Sequence, residues 1–384
     1  MSLKSFISVS IDEVCEVIAG QSPPSATYNY DADGLPFFQG KTDFGQLYPV
    51  VRMWCSAPQK ISLPDDILMS VRAPVGPTNI NIVKSCIGRG LSAIRCSDKI
   101  NQKFLLHFLR FNENIIADKG TGSTFKAITQ KDLKSLKIPL PPLPEQQKIA
   151  SILDAADNLR QKDQQLIEKY TALSQSLFLV MFGDPEANPM GWEYKKLNDL
   201  VTKLGDGLHG TPVYSENGEY YFINGNNLQQ GVIEFNSTTK KVSHDEFVKH
   251  KKELNETTML VSINGSIGKV AFYNGEKIIL GKSACYFNVE ESLINKMYLF
   301  YLIQSSYFIR YTSGTATGST IKNVSLKTMR ELPIPKPPLS LQNQFAERIQ
   351  SIEAQKQLAF ASLEKSEALF NSLLQRAFKG ELTT

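Results

Sequence analysis

Two stretches of the chain repeat apolar residues with the spacing of three and four that marks one face of an α-helix. In the first, positions 149, 152, 156, 159, 163, 166, 170, 173, 177 and 180 are apolar in nine of ten cases. In the second, positions 345, 349, 352, 356, 359, 363, 366, 370, 373 and 377 are apolar in eight of ten. Five uninterrupted heptads favour a coiled coil in each stretch. Each helix of about 38 residues should be about 57 Å long.

The flanking residues give each helix a beginning and an end. Pro144 and Glu145 suit a first turn, and Gly183 followed by Pro185 suits a stop. The second helix should run from near Ser340 to Gly380. One apolar stripe needs a partner, so the two helices are expected to pair with each other, antiparallel, around a pseudo-twofold axis. The alternative is a coiled coil with another molecule. The residues expected in the helix–helix contact are Ile149, Ile152, Leu159, Leu166, Tyr170, Leu173, Leu177, Phe345, Ile349, Ile352, Leu363, Phe370 and Leu373.

The remaining segments mix strand and helix patterns. Strand-like runs are 80–83, 92–96, 259–263 and 269–273, and helix-like runs are 103–110 and 296–303. The predicted fold class is therefore α/β, more closely α+β, with two similar globular domains and two long helices. The predicted boundaries are a globular domain at 1–143, a helix at 144–183, a globular domain at 184–339 and a helix at 340–384.

An internal repeat supports two copies of one domain. Thr121-Gly122-Ser123-Thr124-Phe125-Lys126 recurs as Thr317-Gly318-Ser319-Thr320-Ile321-Lys322, and the Pro-rich segment after it recurs at the same offset of 196. Weaker echoes match 66–71 with 258–263 at offset 192, 90–93 with 281–284 at offset 191, and 36–40 with 221–225 at offset 185. Two copies of one unit usually perform one task twice.

Composition narrows the setting. Apolar residues make up 42% of the chain, the net charge is +4, and five cysteines show no CxxC spacing. This usage suits a reducing cytosol and argues against a zinc site or a disulfide framework. No apolar run approaches the roughly 20 residues that span a membrane. We expect a soluble, cytoplasmic protein, and the mild positive charge is compatible with nucleic acid.

Candidate catalytic motifs are absent. Gly275 and Gly281-Lys282-Ser283 resemble a phosphate-binding loop, but five residues separate the glycines where four are required. His244 and His250 are six positions apart, so they do not share a helix face as metal ligands would. The sequence therefore predicts a non-catalytic chain without a metal or cofactor of its own.

The repeated Thr-Gly-Ser-Thr-x-Lys segment has two interpretations. Its glycine can turn backbone N–H groups toward an anion, while Ser123, Thr124, Ser319 and Thr320 donate to phosphate oxygens and Lys126 and Lys322 add charge. The alternative is a helix N-cap with a tight turn, because Ser and Thr cap helices well.

Other polar residues in loops are candidates for reading bases. They are Lys41, Arg72 and Arg89 in the first copy and Asn226, Asn264, Lys269 and Lys282 in the second. Arg and Lys suit guanine edges and Asn suits adenine. Arg72 aligns with Asn264 and Lys41 with Asn226, a difference expected of two readers of different sequences. The alternative is that each is an ordinary solvated side chain.

Taken together, these segments resemble the specificity (S) subunit of type I restriction-modification enzymes over essentially the whole chain. The resemblance rests on Leu140-Pro141-Pro142-Leu143-Pro144-Glu145-Gln146-Gln147-Lys148-Ile149, the helix that ends at Met181-Phe182-Gly183-Asp184-Pro185, and the Gly-Ser-Thr-x-Lys segment. The second copy departs from the pattern, since Pro338-Leu339-Ser340-Leu341-Gln342-Asn343 lacks the Pro-Glu-Gln-Gln form.

The resemblance implies a role for each part. The globular domains would be target recognition domains, each reading one half of a split site in double-stranded DNA. The helices would set the gap and dock two methyltransferase (M) subunits, to which restriction (R) subunits would add. S-adenosylmethionine and ATP with Mg would bind those partners. The alternatives are an enzyme with a nonstandard active site and a coiled-coil scaffold with protein-binding end domains.

Overall fold

The computed structural model describes residues 6–121, 126–315 and 323–382. The chain divides into two compact units. Unit 1 comprises Met1–Gln165 and Phe360–Thr384, and unit 2 comprises Leu166–Ala359. Within the described residues, no helix has the length and apolar character needed to cross a bilayer.

Unit 1 mixes short helices with three sheets. Its strands are β1 (Ile7–Ser10), β2 (Cys15–Ala19), β3 (Tyr28–Asn29), β4 (Leu35–Phe38), β5 (Trp54–Cys55), β6 (Ile61–Ser62), β7 (Ile67–Ser70), β8 (Thr78–Ile80), β9 (Ser85–Ile87), β10 (Leu91–Cys96) and β11 (Lys137–Leu140). Its short helices are α1 (Ile11–Val14), α2 (Gln102–Phe111), α3 (Glu113–Asp118) and α4 (Gln130–Lys134). The strand orders are β1-β11, β2-β10-β7-β8 and β3-β5-β4-β9-β6.

Unit 2 begins within the first long helix, α5 (Leu143–Phe182), and ends within the second, α10 (Leu339–Phe378). Its strands are β12 (Tyr194–Lys196), β13 (Val201–Asp206), β14 (Tyr220–Ile223), β15 (Leu228–Gln229), β16 (Val232–Ile233), β17 (Lys241–Val242), β18 (Thr258–Ser262), β19 (Val270–Phe272), β20 (Ile278–Leu280), β21 (Ala284–Val289) and β22 (Pro333–Pro335). Its short helices are α6 (His244–His250), α7 (Lys296–Gln304), α8 (Ser306–Thr315) and α9 (Leu326–Glu331). The strand orders are β12-β22, β13-β21-β18-β19, β17-β14-β20 and β15-β16. The mixed helix and sheet content agrees with the predicted fold class.

The two units repeat one frame. The sheet β2-β10-β7-β8 of unit 1 corresponds to β13-β21-β18-β19 of unit 2, and the parallel pair β4–β9 corresponds to β14–β20. Gln146 and Gln342 make the same contact. Each side-chain oxygen accepts from the backbone N–H of a helix N-cap residue, which is Asn101 of α2 for Gln146 and Asn295 of α7 for Gln342, at 2.8 and 2.9 Å. Both glutamines are buried. The Pro-rich segment therefore repeats because it anchors this contact.

One alignment of the repeat was wrong. Gly88 N–H donates to Phe38 O as Gly281 N–H donates to Ile223 O, both at 2.8 Å. Leu91 N–H likewise donates to Gly88 O as Ala284 N–H does to Gly281 O. The offset there is 193, so Gly281 corresponds to Gly88 and not to Gly90. The alignment by sequence was wrong because Gly-x-Ser-Ala occurs in both copies, but the two occurrences lie two residues apart when the strands are superimposed at the offset of 193.

The long helices contact each other antiparallel within unit 1. Asp163 on α5 accepts hydrogen bonds from Ser362 and Ser366 on α10, at 3.1 and 2.8 Å, and the Arg160 guanidinium lies 5.3 Å from the Phe370 ring centroid. In unit 2 the rings of Phe178 and Phe182 pack against Phe345. Two positions that break the apolar pattern, 163 and 366, thus satisfy each other.

Most of the predicted contact positions are covered, but three are not. Ile149, Phe345 and Ile349 are buried, and Ile152, Tyr170, Leu177, Ile352, Leu363, Phe370 and Leu373 are half-buried. Leu159, Leu166 and Leu173 are wrong, because 46, 40 and 49% of their surface is exposed. The buried line of α5 instead passes through Leu153, Asp163, Ile167, Ser174 and Phe178. The count of apolar letters chose residues 152, 166, 173 and 177, whereas the next residue is the buried one in each case; at 174 that residue is a polar serine.

The strand predicted over 80–83 was also misplaced. The strand β8 ends at Ile80, and Ile82 and Val83 are exposed. The buried Asn81 side chain donates to the carbonyl oxygens of Leu63 and Val83, at 3.1 and 2.6 Å, and so turns the chain out of the ladder. The apolar residues after it belong to a surface loop.

Candidate nucleic-acid interface

A tight loop between β7 and β8 presents Arg72. The Ser70 hydroxyl donates to the carbonyl oxygens of Arg72 and Pro74, at 3.1 and 2.7 Å, and Gly76 closes the loop with a positive φ of 111°. Because a positive φ favours glycine, the presence of Gly76 allows the chain to make this turn. The Arg72 side chain is exposed at its tip.

Unit 2 builds the same loop between β18 and β19. The Ser262 hydroxyl donates to Ser266 O, and Gly268 closes the loop with a φ of 86°. Asn264 stands where Arg72 stands, as the sequence alignment predicted. It is half-buried, and its side-chain oxygen has no hydrogen-bond partner among the described residues. This oxygen is buried, so the amide is one of the few buried polar groups that the described residues leave unsatisfied.

The described residues that flank the two repeated segments lie beside these loops. Thr121 and Ala127 exchange two backbone hydrogen bonds of 2.9 and 3.0 Å, and Ala127 also bridges to Arg72. In unit 2, Asn323 bridges to Asn264. The predicted contacts Ser123, Thr124, Ser319, Thr320 and Lys322 lie outside the described residues.

The described residues around that segment bear on its two interpretations. Lys126 is exposed and lies 3.6 Å from Asp118. The hydroxyls that cap the helices after the segments belong to Thr129 and Ser325, which accept from the N–H groups of Asp132 and Thr328 at 3.2 and 3.0 Å. Helices α4 and α9 therefore obtain their N-caps from other residues than the repeated Ser and Thr.

The corrected repeat brings Arg89 and Lys282 to the same position. Each follows the equivalent glycine in the turn that leads into β10 or β21, and each side chain is exposed. The backbone N–H of Arg89 donates to Ser22 Oγ at 3.3 Å, and that of Lys282 donates to Leu208 O at 2.9 Å. The sequence predicts a role for both residues but not their equivalence, because the offset of 191 aligns Lys282 with Leu91.

Lys41 and Asn226 lie in 3₁₀ turns after equivalent strands. These turns span Lys41–Asp43 and Gly225–Asn227, and both side chains are exposed. Each turn is held by its last residue: Asp43 accepts from Gln39 N–H at 2.6 Å, and Asn227 accepts from Asn224 N–H at 3.0 Å. The two candidates thus project from matching turns.

In unit 1 these parts surround one cavity of about 440 Å³. Lys41 and Arg72 both line it, and Gly90, the neighbour of Arg89, forms part of the wall. None of its lining residues carries a carboxylate. Two long cations beside a concave surface of this kind can donate to phosphate oxygens or to the acceptor edge of guanine.

The unit 2 candidates share the loop but not the charge. Lys269 is half-buried, and its backbone oxygen accepts from Ser262 N–H at 2.9 Å. Ser283 Oγ accepts from Gly225 N–H and donates to Asn224 Oδ1, both at 2.9 Å, which ties the turn beside Asn226 to the turn beside Lys282. The surface near Asn226, Asn264 and Lys282 therefore offers amide groups and one exposed cation.

Two glycines that the sequence search overlooked support both sites. A Cβ on Gly20 would lie 2.2 Å from Gly88 O, and a Cβ on Gly207 would lie 2.1 Å from Leu280 O. Only glycine permits this approach, which seats the ends of β2 and β13 against the turns of Arg89 and Lys282. Each glycine directly follows its strand, β2 or β13, and this shared position is the signal that could have found them.

Metal chemistry has no support in the described part of the chain. No group of three or more His, Cys, Asp or Glu side chains is placed to hold a metal ion there.

A family model for the type I restriction modification DNA specificity domain matches residues 4–169 and again residues 189–365. The chain belongs to this family and carries its domain twice. The similarity was anticipated from the Pro-rich segments, the long helices and the repeat.

Individual relatives resemble the chain to different extents. The putative type I restriction enzyme MjaX specificity subunit of Methanocaldococcus jannaschii is 44% identical over 177 residues, which cover 45% of this chain and 42% of the relative. The chain thus matches less than half the length of that relative. The MjaIX specificity subunit of the same organism is 24% identical over 373 residues, or 89% of this chain and 85% of the relative. The crystal structure of a type I restriction-modification system S subunit from M. genitalium shares the fold, with a TM-score of 0.60 at 16% identity over 98% of each chain.

Proposed function

We propose that this chain is the DNA specificity subunit of a type I restriction-modification complex, in which each unit reads one half of a bipartite site. The observation that carries the proposal is the repeated loop cluster, in which Arg72 and Asn264, and Arg89 and Lys282, occupy equivalent positions. An equivalent frame with different side chains at the tips suits two readers of different sequences. A basic residue kept at 89 and 282 suits a phosphate contact common to both.

The proposal includes the partners. Two methyltransferase subunits would dock on the helices and supply S-adenosylmethionine, and restriction subunits would bring ATP and Mg. This chain would act without catalysis or a cofactor of its own, in the cytoplasm where the DNA lies. The helices α5 and α10, each 40 residues long, would set the gap between the half-sites.

The decisive experiment is to map methylation on a plasmid in cells that co-express the chain with its neighbouring methyltransferase subunit. We expect a split motif with a fixed gap, of which only one half changes when residues 1–143 are exchanged for those of a relative. A stable complex that methylates nothing would favour the protein-binding scaffold instead.

Single substitutions can then distinguish base contacts, which give specificity, from phosphate contacts, which give affinity. Arg72→Ala should relax one base position in one half-site, at a cost of about 1–3 kcal/mol there, and leave the other half-site unchanged. Arg89→Ala and Lys282→Ala should each weaken binding for all sequences and lower the slope of log K against log salt by about one. The reverse pattern, with Arg89 specific and Arg72 uniform, would contradict these assignments.

The gap can be tested separately. Inserting four residues into α5 and four into the antiparallel stretch of α10 should change the spacer and leave both half-site sequences intact. An unchanged spacer in a folded, active complex would remove the helices from that role.

A further inference from the structure

Two cysteines far apart in sequence face each other in the sheet of unit 1. Cys15 begins β2 and Cys96 ends β10, and the antiparallel register pairs them directly. Directly opposed residues in an antiparallel pair project on the same face of the sheet. Both side chains belong to the apolar core of unit 1.

The hydrogen-bond pattern fixes the kind of pair. Ser97 N–H donates to Val14 O at 3.0 Å, and at the far end of the ladder Gly20 N–H donates to Leu91 O at 2.9 Å. Bonded and non-bonded pairs alternate along an antiparallel ladder, so Cys15 and Cys96 form a non-hydrogen-bonded pair. Their Cα atoms should lie about 4.5 Å apart, within the range that a disulfide spans.

The two thiols differ in exposure. Cys15 is buried, whereas Cys96 is half-buried and reachable from solvent. The hydrogen bond to Cys96, together with burial, raises the pKa of the Cys15 thiol. The other three cysteines, Cys55, Cys86 and Cys285, are fully buried. Cys96 is therefore the thiol at which an oxidant can enter.

Unit 2 provides a natural control at the same place. The frame sets Val201 opposite Val289, where unit 1 sets Cys15 opposite Cys96. Valine and cysteine are similar in volume, so either pair fits the sheet. The thiol pair is thus a feature of unit 1 alone, and packing does not require it.

We propose that Cys15 and Cys96 form a reversible cross-strand disulfide when the protein reacts with hydrogen peroxide. The Cys96 sulfur attacks the peroxide, the O–O bond breaks, and a sulfenic acid forms with release of one water. The Cys15 sulfur then attacks the Cys96 sulfur and a second water leaves. Two thiols and one hydrogen peroxide thus yield one disulfide and two waters. A dithiol reductant reverses the bond by exchange.

The test uses the full-length protein, hydrogen peroxide and alkylation after denaturation. We expect alkylation of all five cysteines before oxidation, of three after it, and of five again after dithiothreitol, with Cys15 and Cys96 peptides linked in the oxidised sample. The oxidised protein should also unfold at a higher temperature, because the bond closes a long loop. The variant Cys15→Val/Cys96→Val should fold and show no such shift.

A second variant tests whether the strand pairing alone is enough for the disulfide to form. In a background of Cys15→Val/Cys96→Val, the substitutions Val201→Cys/Val289→Cys should transfer the peroxide-dependent link to unit 2. Five alkylated thiols after oxidation of the wild-type chain, a Cys55–Cys86 link, a bond between two chains, or sulfinic acid at Cys96 would each overturn the proposal. None of these outcomes bears on DNA recognition.

Discussion

Units 1 and 2 fold on one frame but fill it differently. At the position next to the thiol pair, unit 1 has a two-point ion pair between Arg95 and the buried Asp66, at 2.9 and 3.0 Å. Unit 2 has a single hydrogen bond there, from Thr258 to Asn288 at 2.7 Å. On the helix side, His107 meets Asp154 in unit 1, and Tyr301 meets Glu353 in unit 2. The backbone pairing and the Gln146 and Gln342 contacts are shared, so the frame is specified by few residues and tolerates exchange elsewhere.

The largest difference should appear at the ion pair. Asp66→Ala removes the acceptor of two Arg95 hydrogen bonds, of Ser62 Oγ and of Leu63 N–H. It should cost about 3 kcal/mol of unfolding free energy, because Arg95 is one-third exposed and keeps its bond to Glu16. Thr258→Ala should cost about 1–2 kcal/mol. Urea unfolding can follow each unit by fluorescence, since Trp54 lies in unit 1 and Trp192 in unit 2 and each can be replaced by Phe. Equal losses for Asp66→Ala and Thr258→Ala would mean that the shared backbone pairing, and not the side chains at this position, determines the stability here.

The close glycines should instead behave alike. Gly20→Ala and Gly207→Ala each force a Cβ onto a carbonyl oxygen and should destabilise their unit by about 2 kcal/mol. Gly210→Ala is the matched control, because nothing lies within 4 Å of its added Cβ. Unequal losses in the same unfolding assay would show that the frames differ at this contact.

The two units should also differ in how their stability depends on pH. Burial lowers the pKa of His107, although the hydrogen bond that its ring makes to the Asp154 carboxylate opposes this shift. Burial raises the pKa of Asp154, but hydrogen bonds from Lys103 and His107 outweigh it, so that pKa is also lowered. The unfolded chain then binds more protons, and unit 1 should lose stability as the pH falls below about 6.5 and again below about 4.

At the position of His107, unit 2 has Tyr301. Burial raises the pKa of Tyr301 to about 12, far from neutrality. The variant His107→Tyr, which copies unit 2, should abolish the loss between pH 7 and 5.5 measured by the Trp54 signal. If the loss persists in this variant, another group is responsible.

The smallest effect should come from the leucines that were misplaced. Leu159→Ala should change unfolding free energy by less than about 0.5 kcal/mol, since the side chain is largely exposed. Leu153→Ala, in the same helix and the same unit but fully buried, should cost about 2–5 kcal/mol. A large loss of unfolding free energy in Leu159→Ala would show that Leu159 does lie in the helix–helix contact, as the sequence predicts.

The sequence by itself determined the parts that depend on local spacing. Heptad periodicity predicted both 40-residue helices, and the repeated segments predicted two copies of one unit and the equivalence of Arg72 and Asn264. Gly76 and Gly268 mark loops because a positive φ favours glycine wherever it occurs. These signals are local or repeated, so one chain is enough to read them.

The tertiary structure alone decided which groups meet. Asp163 belongs to the buried face because Ser362 and Ser366 donate to its carboxylate, and Ser174 is buried there although it is polar, which a count of apolar letters cannot show. The equivalence of Arg89 and Lys282, and the pairing of Cys15 with Cys96, depend on strand register across long separations in sequence. Register is a property of the whole sheet, because one slipped residue would turn every side chain to the other face.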